Sequence, residues 1–478
     1  MVADDGHAVS RGSSFPTFRR LCIVRTSLAI PYATAARFAA PEPVAFDSVA
    51  ADRTEFGPAA PQQLDGPLGD IVPGMKVRET DEHTCLTLNV WAPESDVVLP
   101  VLVWFHGGSF VIGASSQPVY DGAFLAAEQD VVVVSVNYRL GAFGFLDARP
   151  FGGVANCGLR DAICALEWVR DNIASFGGDA SRVVAFGESA GGGLVLHALA
   201  APATHGLVAG AIIQSGATFA TLEEKRAALV VEALVKEAAV DEPAGLRDLS
   251  TDALVAAQSA AMMSLFGTIG MMPFHPMVDG DLVSATPADA FAQGTAAEVA
   301  IVAGTTADEM RLFVDSSAAA APRDKVVRRA ARYLGIDESA AGAVIDGYGR
   351  AVGTDNTNEI WRALFGDHEM QVPCRAVLDA HAPHGPAFTY CFTWEGPTVG
   401  ACHGIDIPFP FGNFGDGWDA FVGLDDDGRA LSSAMRTSWV GFARTGDPGW
   451  APYPQARVFG REIHDLAAHP LFGRLPNL

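Results

Sequence analysis

Few residue types attack a carbonyl unaided, and the most suggestive arrangement in this 478-residue chain is Gly187-Glu188-Ser189-Ala190-Gly191. A β-branched and aromatic run, Val183 to Phe186, enters this Gly-x-Ser-x-Gly turn, and an apolar, Ala-rich segment from Gly193 to Ala200 leaves it. Strand, sharp turn and helix put a serine at strained backbone angles with its hydroxyl clear of the chain. The flanking glycines leave room for an incoming carbonyl, and the helix N-terminus turns unpaired N–H groups toward the same spot. Small residues also cluster by chance in a chain with 50 glycines, so the pentapeptide has to be judged against the rest of the sequence.

A serine hydroxyl needs a base, usually histidine, and a carboxylate to fix that histidine's tautomer. In open α/β sheets functional groups gather beyond the carboxyl ends of the strands. Of 12 histidines, His403 fits best, since it follows the expected strand Ala387 to Trp394 in the loop Gly400-Ala401-Cys402-His403-Gly404. His384 precedes that strand, His197 lies in the helix after the serine as a core residue, and His7, His464 and His469 read as surface residues. For the acid, Asp308 and Glu309 both follow a strand ending near Gly304, and an acidic helix start stabilised by the dipole is the plainer reading of Asp308. The strand Val101 to Phe105 runs into His106-Gly107-Gly108-Ser109, where the N–H groups of Gly108 and Ser109, with that of Ala190, are positioned to receive an oxyanion. No metal ion or cofactor is called for by this chemistry.

These residues need a scaffold, and the hydrophobic pattern supplies one. Expected strands at Leu86–Trp91, Leu99–Phe105, Asp130–Tyr138, Val183–Phe186, Val208–Gln214, Ala297–Gly304 and Ala387–Trp394 alternate with helices at Gly122–Gln129 and Leu159–Phe176. That alternation marks an α/β protein with a mostly parallel sheet covered on both faces. Residues 1–65 read as irregular. Thr221-x-x-Glu224 reads as a capping box opening a helix, Ser250 or Thr251 starts another, Thr286-Pro287 a third, and Met435–Thr445 a last one. The expectation is one catalytic domain over 1–478, with helical insertions at 220–275 and 310–380 forming a lid or regulatory part.

A hydrophobic content of 49% fits a large core, and a net charge of −24 argues against nucleic acid and anionic membranes as partners. No apolar run reaches the ~20 residues that span a bilayer. The polar start, Met1 to Arg20, lacks an apolar core and does not read as a secretory signal. Seven scattered cysteines without C-x-x-C spacing suggest reduced thiols and a cytoplasmic protein, a monomer or weak homodimer acting on a small molecule.

Taken together, the motifs resemble the type-B carboxylesterases, the family that includes the cholinesterases and the bacterial p-nitrobenzyl esterases. The resemblance runs from about residue 28 to 455. It is carried by Ala29-Ile30-Pro31-Tyr32-Ala33 with Arg37-Phe38, Leu86-Thr87-Leu88-Asn89-Val90, Phe176-Gly177-Gly178-Asp179, Phe186 to Gly192, Pro276 to Gly280, Gly304 to Glu309 and Ala401 to Gly404. It implies the α/β-hydrolase fold and hydrolysis of carboxylic esters through an acyl-enzyme, with Ser189, Glu309 and His403 as the catalytic set, because the family's acid is often the glutamate of an Asp-Glu pair. A carbamate or amide hydrolase on the same groups, and a non-catalytic binding module of the same fold, are the alternatives.

Three departures stand out. Ser109 replaces the family's third oxyanion-loop glycine, which is expected to be harmless because a backbone N–H does the work. Cys85 lacks the family's disulfide partner, since Gly57-Pro58-Ala59-Ala60 holds alanine in its place. The stretch Leu64 to Thr84 contains no Phe, Tyr or Trp, so choline esters are not expected substrates. Leu265, Phe266 and Phe313, with Phe274 more readily a core residue, suggest a pocket for an uncharged, partly aromatic ester.

Overall fold

The computed structural model describes residues 23–47, 53–64, 71–77, 79–217, 221–266, 268–270, 272–314 and 318–474. Met1 to Arg20, with His7, and Cys22 lie outside the described residues.

Ten strands form one sheet: β1 (Val24–Pro31), β2 (Thr87–Pro93), β3 (Leu99–Phe105), β4 (Val132–Val136), β5 (Gly178–Glu188), β6 (Gly210–Gln214), β7 (Ala300–Thr306), β8 (Ala387–Phe392), β9 (Ala456–Phe459) and β10 (His464–Leu466). Their spatial order is β1-β2-β4-β3-β5-β6-β7-β8-β9-β10. From β4 to β9 all pairings are parallel, while β1, β2 and β10 join antiparallel at the two edges. This is the α/β-hydrolase architecture expected above. The near-continuous apolar runs follow from burial on both faces. Along β3, Val101, Val103 and Phe105 enter one core while Leu102 and Trp104 enter the other, and β4 and β5 divide in the same way.

The chain passes from β3 to β4 on one side and then to β5 on the other. The carboxyl ends of β3 and β5 therefore flank a point where strand order reverses, the place where such sheets bind ligands. Phe105 pairs with Gly187 across that junction, so the loop after β3 and the serine turn after β5 leave the sheet side by side.

The differences from expectation have local causes. Residues 24–31 form an edge strand rather than an irregular stretch, with Ala29 at φ 52° and a register shift between Ser27 and Ile30 that breaks the pattern. The helix after 220 starts at Glu224, and Thr221 does not cap it: its hydroxyl meets His197 Nε2 at 2.8 Å instead. Ser250 and Thr286 do cap their helices, accepting from the N–H groups of Ala253 and Asp289. The last long helix runs Asp426–Thr445, starting nine residues before Met435, with Asp425 as its cap. His469 is not a surface residue, because it is buried with its ring against Phe472 and Nε2 3.1 Å from the Tyr390 carbonyl.

Helices Arg323–Leu334, Glu338–Val352 and Thr357–Gly366 share a small core of their own around Val326, Ala330, Ile345, Tyr348, Trp361 and Leu364, distinct from the two cores against the sheet.

Candidate active site

Ser189 ends β5 at φ 53°, ψ −124°, a conformation that L-residues rarely adopt, and its N–H donates to the Gln214 carbonyl at the end of β6. The turn is tight enough to exclude side chains. A Cβ on Gly191 would lie 2.0 Å from the Phe105 carbonyl oxygen, so the helix Ala190–Ala200 packs directly on the end of β3. Across the same junction, a Cβ on Gly108, at φ 112°, would lie 2.2 Å from the Ile112 carbonyl oxygen. Ser109 and Phe110 follow at φ 54° and 61°. Ser109 therefore holds a left-handed conformation that glycine would adopt freely, at a cost of about 1–2 kcal/mol. Among the described residues, the N–H groups of Gly108, Ser109 and Ala190 donate to no partner.

Glu309 follows β7 and is fully buried. Its Oε1 accepts from the Thr306 N–H at 2.8 Å and from Ser215 Oγ at 2.7 Å, which leaves Oε2 for His403 Nδ1 at 2.7 Å. The His403 N–H also donates to the Glu309 carbonyl. Asp308 is turned away, paired with Arg362 at 2.9 Å, so the glutamate is the acid against the histidine and the aspartate belongs to an ion pair. Gln371, at the end of a π-helical turn, braces the acid's loop by donating from Nε2 to the Thr306 carbonyl and accepting from Thr305 Oγ1.

On the other edge of the imidazole, Nε2 lies 3.3 Å from Glu188 Oε1. This oxygen has no hydrogen-bond partner among the described residues. Burial opposes a charge on His403, but Glu188, the Glu309 hydrogen bond and the Glu309 charge override it and raise its pKa to about 9. Burial pushes Glu188 up to about 8, with the His403 charge pulling the other way. A further buried carboxyl, Asp406, is raised to about 6 by burial and accepts from Gln214 Nε2 at 2.9 Å.

Sequence reasoning passed over Ser215, Gln214 and Asp406. Ser215 was findable by the same rule that selected His403, since it directly follows a core strand. Gln214 and Asp406 carry no such signal, because their partners are distant in sequence. Of the pocket residues, Phe313 lies beside the site, its ring 6.0 Å from that of His403. Leu265 is buried in the main core with Phe274, and Phe266 is 60% exposed. His197 is a core residue, bonded to the Gly193 carbonyl and Thr221. Cys85 is free, as are the other five described cysteines. The ion pair of this region joins Arg37 to Glu82, with Arg37 Nε 2.6 Å from Oε1. Among the described residues, no three His, Cys, Asp or Glu side chains are grouped to hold a metal ion, and no helix is long and apolar enough to cross a membrane.

The arrangement matches known proteins along most of its length. The profile of the carboxylesterase family covers residues 11–459. A para-nitrobenzyl esterase from Bacillus subtilis (strain 168) is 35% identical over 433 residues, 88% of this chain and 86% of its own. A phenmedipham hydrolase from Pseudarthrobacter oxydans is 33% identical over 414 residues, 83% of this chain and 80% of its own. Among solved structures, a thermophilic PNB esterase superposes with a TM-score of 0.83 at 32% identity, covering 93% of this chain and 94% of the other. The chain belongs to the carboxylesterase family, and it is a carboxylic ester hydrolase.

Proposed function

We propose that the protein is a serine carboxylesterase that hydrolyses small to medium uncharged carboxylic esters through an acyl-enzyme. The observation that carries this reading is the 2.7 Å bond from His403 Nδ1 to Glu309 Oε2. It fixes one proton on Nδ1, so that Nε2 serves as the base once the ring is neutral. Ser189 attacks the ester carbonyl carbon and passes its proton to His403 Nε2. The N–H groups of Gly108, Ser109 and Ala190 hold the oxyanion, and each such donor is typically worth about 3–4 kcal/mol of transition-state stabilisation. His403 then protonates the leaving alcohol, and water, activated by the same imidazole, releases the acid and regenerates Ser189.

Phe313 forms one wall of the pocket in this reading, and the insertions 220–275 and 310–380 form its lid. The protein works in the cytoplasm as a monomer or weak homodimer, a setting supported by its buried free thiols. Carbamate or amide hydrolysis by the same groups is the second reading, favoured by the likeness to phenmedipham hydrolase.

The test is pre-steady-state release of p-nitrophenol from short acyl esters. A burst stoichiometric with enzyme, absent in Ser189→Ala, is expected. Turnover surviving in that variant would overturn the nucleophile assignment, and a higher kcat/KM for phenmedipham than for any matched ester would favour the carbamate reading.

A further inference from the structure

Beyond Phe313 lies a cavity of about 350 Å³, lined by Phe313, Lys325, Val326, Arg329, Asn358 and Trp361 among others. Its volume is that of a small-molecule site. Phe313 is the shared wall, since its ring also stands 6.0 Å from His403.

The charge around this cavity is unlike that of the rest of the chain. In a protein of net charge −24, the helix Arg323–Leu334 carries Arg323, Lys325, Arg328, Arg329 and Arg332 against the single acid Asp324. Arg323 is paired with Asp346, and Arg328 with Asp324. Lys325 and Arg329, one turn apart on the cavity's side, have no carboxylate partner among the described residues. Arg329 lies over the Trp361 ring, 4.2 Å from its centroid, and Phe365 stacks parallel to that ring at 5.6 Å. Partial burial and the neighbouring Arg332 disfavour the Arg329 charge, which among the described residues is met by the Trp361 face and by no carboxylate. Trp361 is itself buried, yet its indole Nε1 has no hydrogen-bond partner among the described residues. Lys325, Arg329 and the indole N–H are all donors, and among the described residues no carboxylate is paired with them. Lys325 and Arg329 are exposed and keep their hydration, whereas the buried indole N–H left unpaired costs about 1–3 kcal/mol, so a ligand bearing acceptors complements the set.

A carboxylate suits this set. It is planar, it accepts two parallel bonds from a guanidinium, and it leaves lone pairs for an ammonium and an indole N–H. Phe313 and Val326 offer apolar surface for the methylenes that would join it to an ester group at Ser189.

We propose that this cavity is a carboxylate subsite, and that the enzyme accepts half-esters of dicarboxylic acids whose free carboxylate is held by Arg329 and Lys325 while the ester end reacts at Ser189. This rests on the esterase reading and extends its substrates to esters that are anionic at the far end.

The test pairs mono-p-nitrophenyl esters of adipic, suberic and sebacic acids with the neutral hexanoate, octanoate and decanoate, in wild type and in Lys325→Gln/Arg329→Gln. A tenfold or greater loss of kcat/KM in the double variant, confined to the half-esters, expressed in KM and matched in wild type by 0.5 M salt, is expected. An equal loss for both series, or none for either, would overturn the subsite. Free suberate, titrated calorimetrically, separates the two sources of the carboxylate. If it binds the wild type, fails to bind the double variant and competes only with half-esters, the substrate supplies the carboxylate. If it alters turnover of neutral octanoate through the same residues, the cavity serves a free acid and the half-ester proposal falls. Should neither ester series turn over, the esterase reading fails, while suberate binding still decides whether the cavity takes a carboxylate.

Discussion

Replacing Glu188 by glutamine removes a charge beside the base without changing the shape of the site. Glu188 Oε1 is 3.3 Å from His403 Nε2. Two unit charges at that separation interact by about 5 kcal/mol at an effective dielectric constant of ~20, and by about 1.3 kcal/mol in water. At 1.36 kcal/mol per unit, this corresponds to a His403 pKa lowered by about 1 to 4 units in the variant. Burial keeps the Glu188 carboxyl largely protonated up to about pH 8. His403 loses its proton near pH 9, above that point, so Glu188 is ionised where the limb is read and the whole range of the shift applies. The sign follows from the base's task. His403 must be neutral to accept the serine proton, and its pKa is held up at about 9 by these carboxylates. Losing one of them lets the imidazole shed its proton at lower pH, so the acidic limb of kcat/KM moves down by about 1 to 4 units. The assay is kcat/KM for p-nitrophenyl butyrate from pH 5 to 10 at constant ionic strength, in wild type and Glu188→Gln. A limb that stays in place or moves upward would refute the claim that Glu188 sustains the His403 charge.

Glu309→Gln keeps the shape but turns the tautomer, and an expected loss of about a thousand- to ten-thousand-fold in kcat with little change in KM is readable by stopped-flow. Gly108→Ala puts a methyl 2.2 Å from the Ile112 carbonyl oxygen, so the loop after β3 must shift, and, if that loop holds the oxyanion as proposed, a fall in kcat of at least about a hundredfold is expected in steady-state assays. Asp161→Ala leaves Arg139 buried without the carboxylate that meets its Nε at 2.7 Å and its second terminal nitrogen at 2.6 Å. The loss should be about 3–5 kcal/mol, seen in urea unfolding, with the remaining folded enzyme still active.

How far the sequence could be read depended on whether a residue's role was set by its neighbours or by distant partners. β3, β4 and β5 were legible because burial on both faces imposes a run of apolar residues that no loop would carry. Ser189 and Gly191 were legible because the turn geometry itself restricts residue type. Local pattern alone left the acid between Asp308 and Glu309 and the resemblance pointed to Glu309, while Arg362, which takes the aspartate, lies more than fifty residues later. Thr221 misled for the same reason, since its hydroxyl found His197 rather than the helix it precedes. β9 is four residues long and depends on parallel pairing with β8, so its own sequence, Ala456-Arg457-Val458-Phe459, carries little signal. His469 looks polar in sequence and is buried only because Tyr390 and Phe472 close around it. Arg139 reaches back to the carbonyls of Ala36 and Ala39, a link between loop and core that no local pattern announces.

The separate core of helices Arg323–Leu334, Glu338–Val352 and Thr357–Gly366 bears on cooperativity. Side chains that cohere with one another more than with the sheet form a unit able to open while the strands stay paired. Native-state hydrogen exchange would then divide the molecule into two classes of amide, with these helices exchanging at a free energy below that of global unfolding. The same partition lets substitutions accumulate in the helical unit with small effect on the strand ends that hold Ser189 and Glu309, so substrate range and catalytic geometry can drift independently.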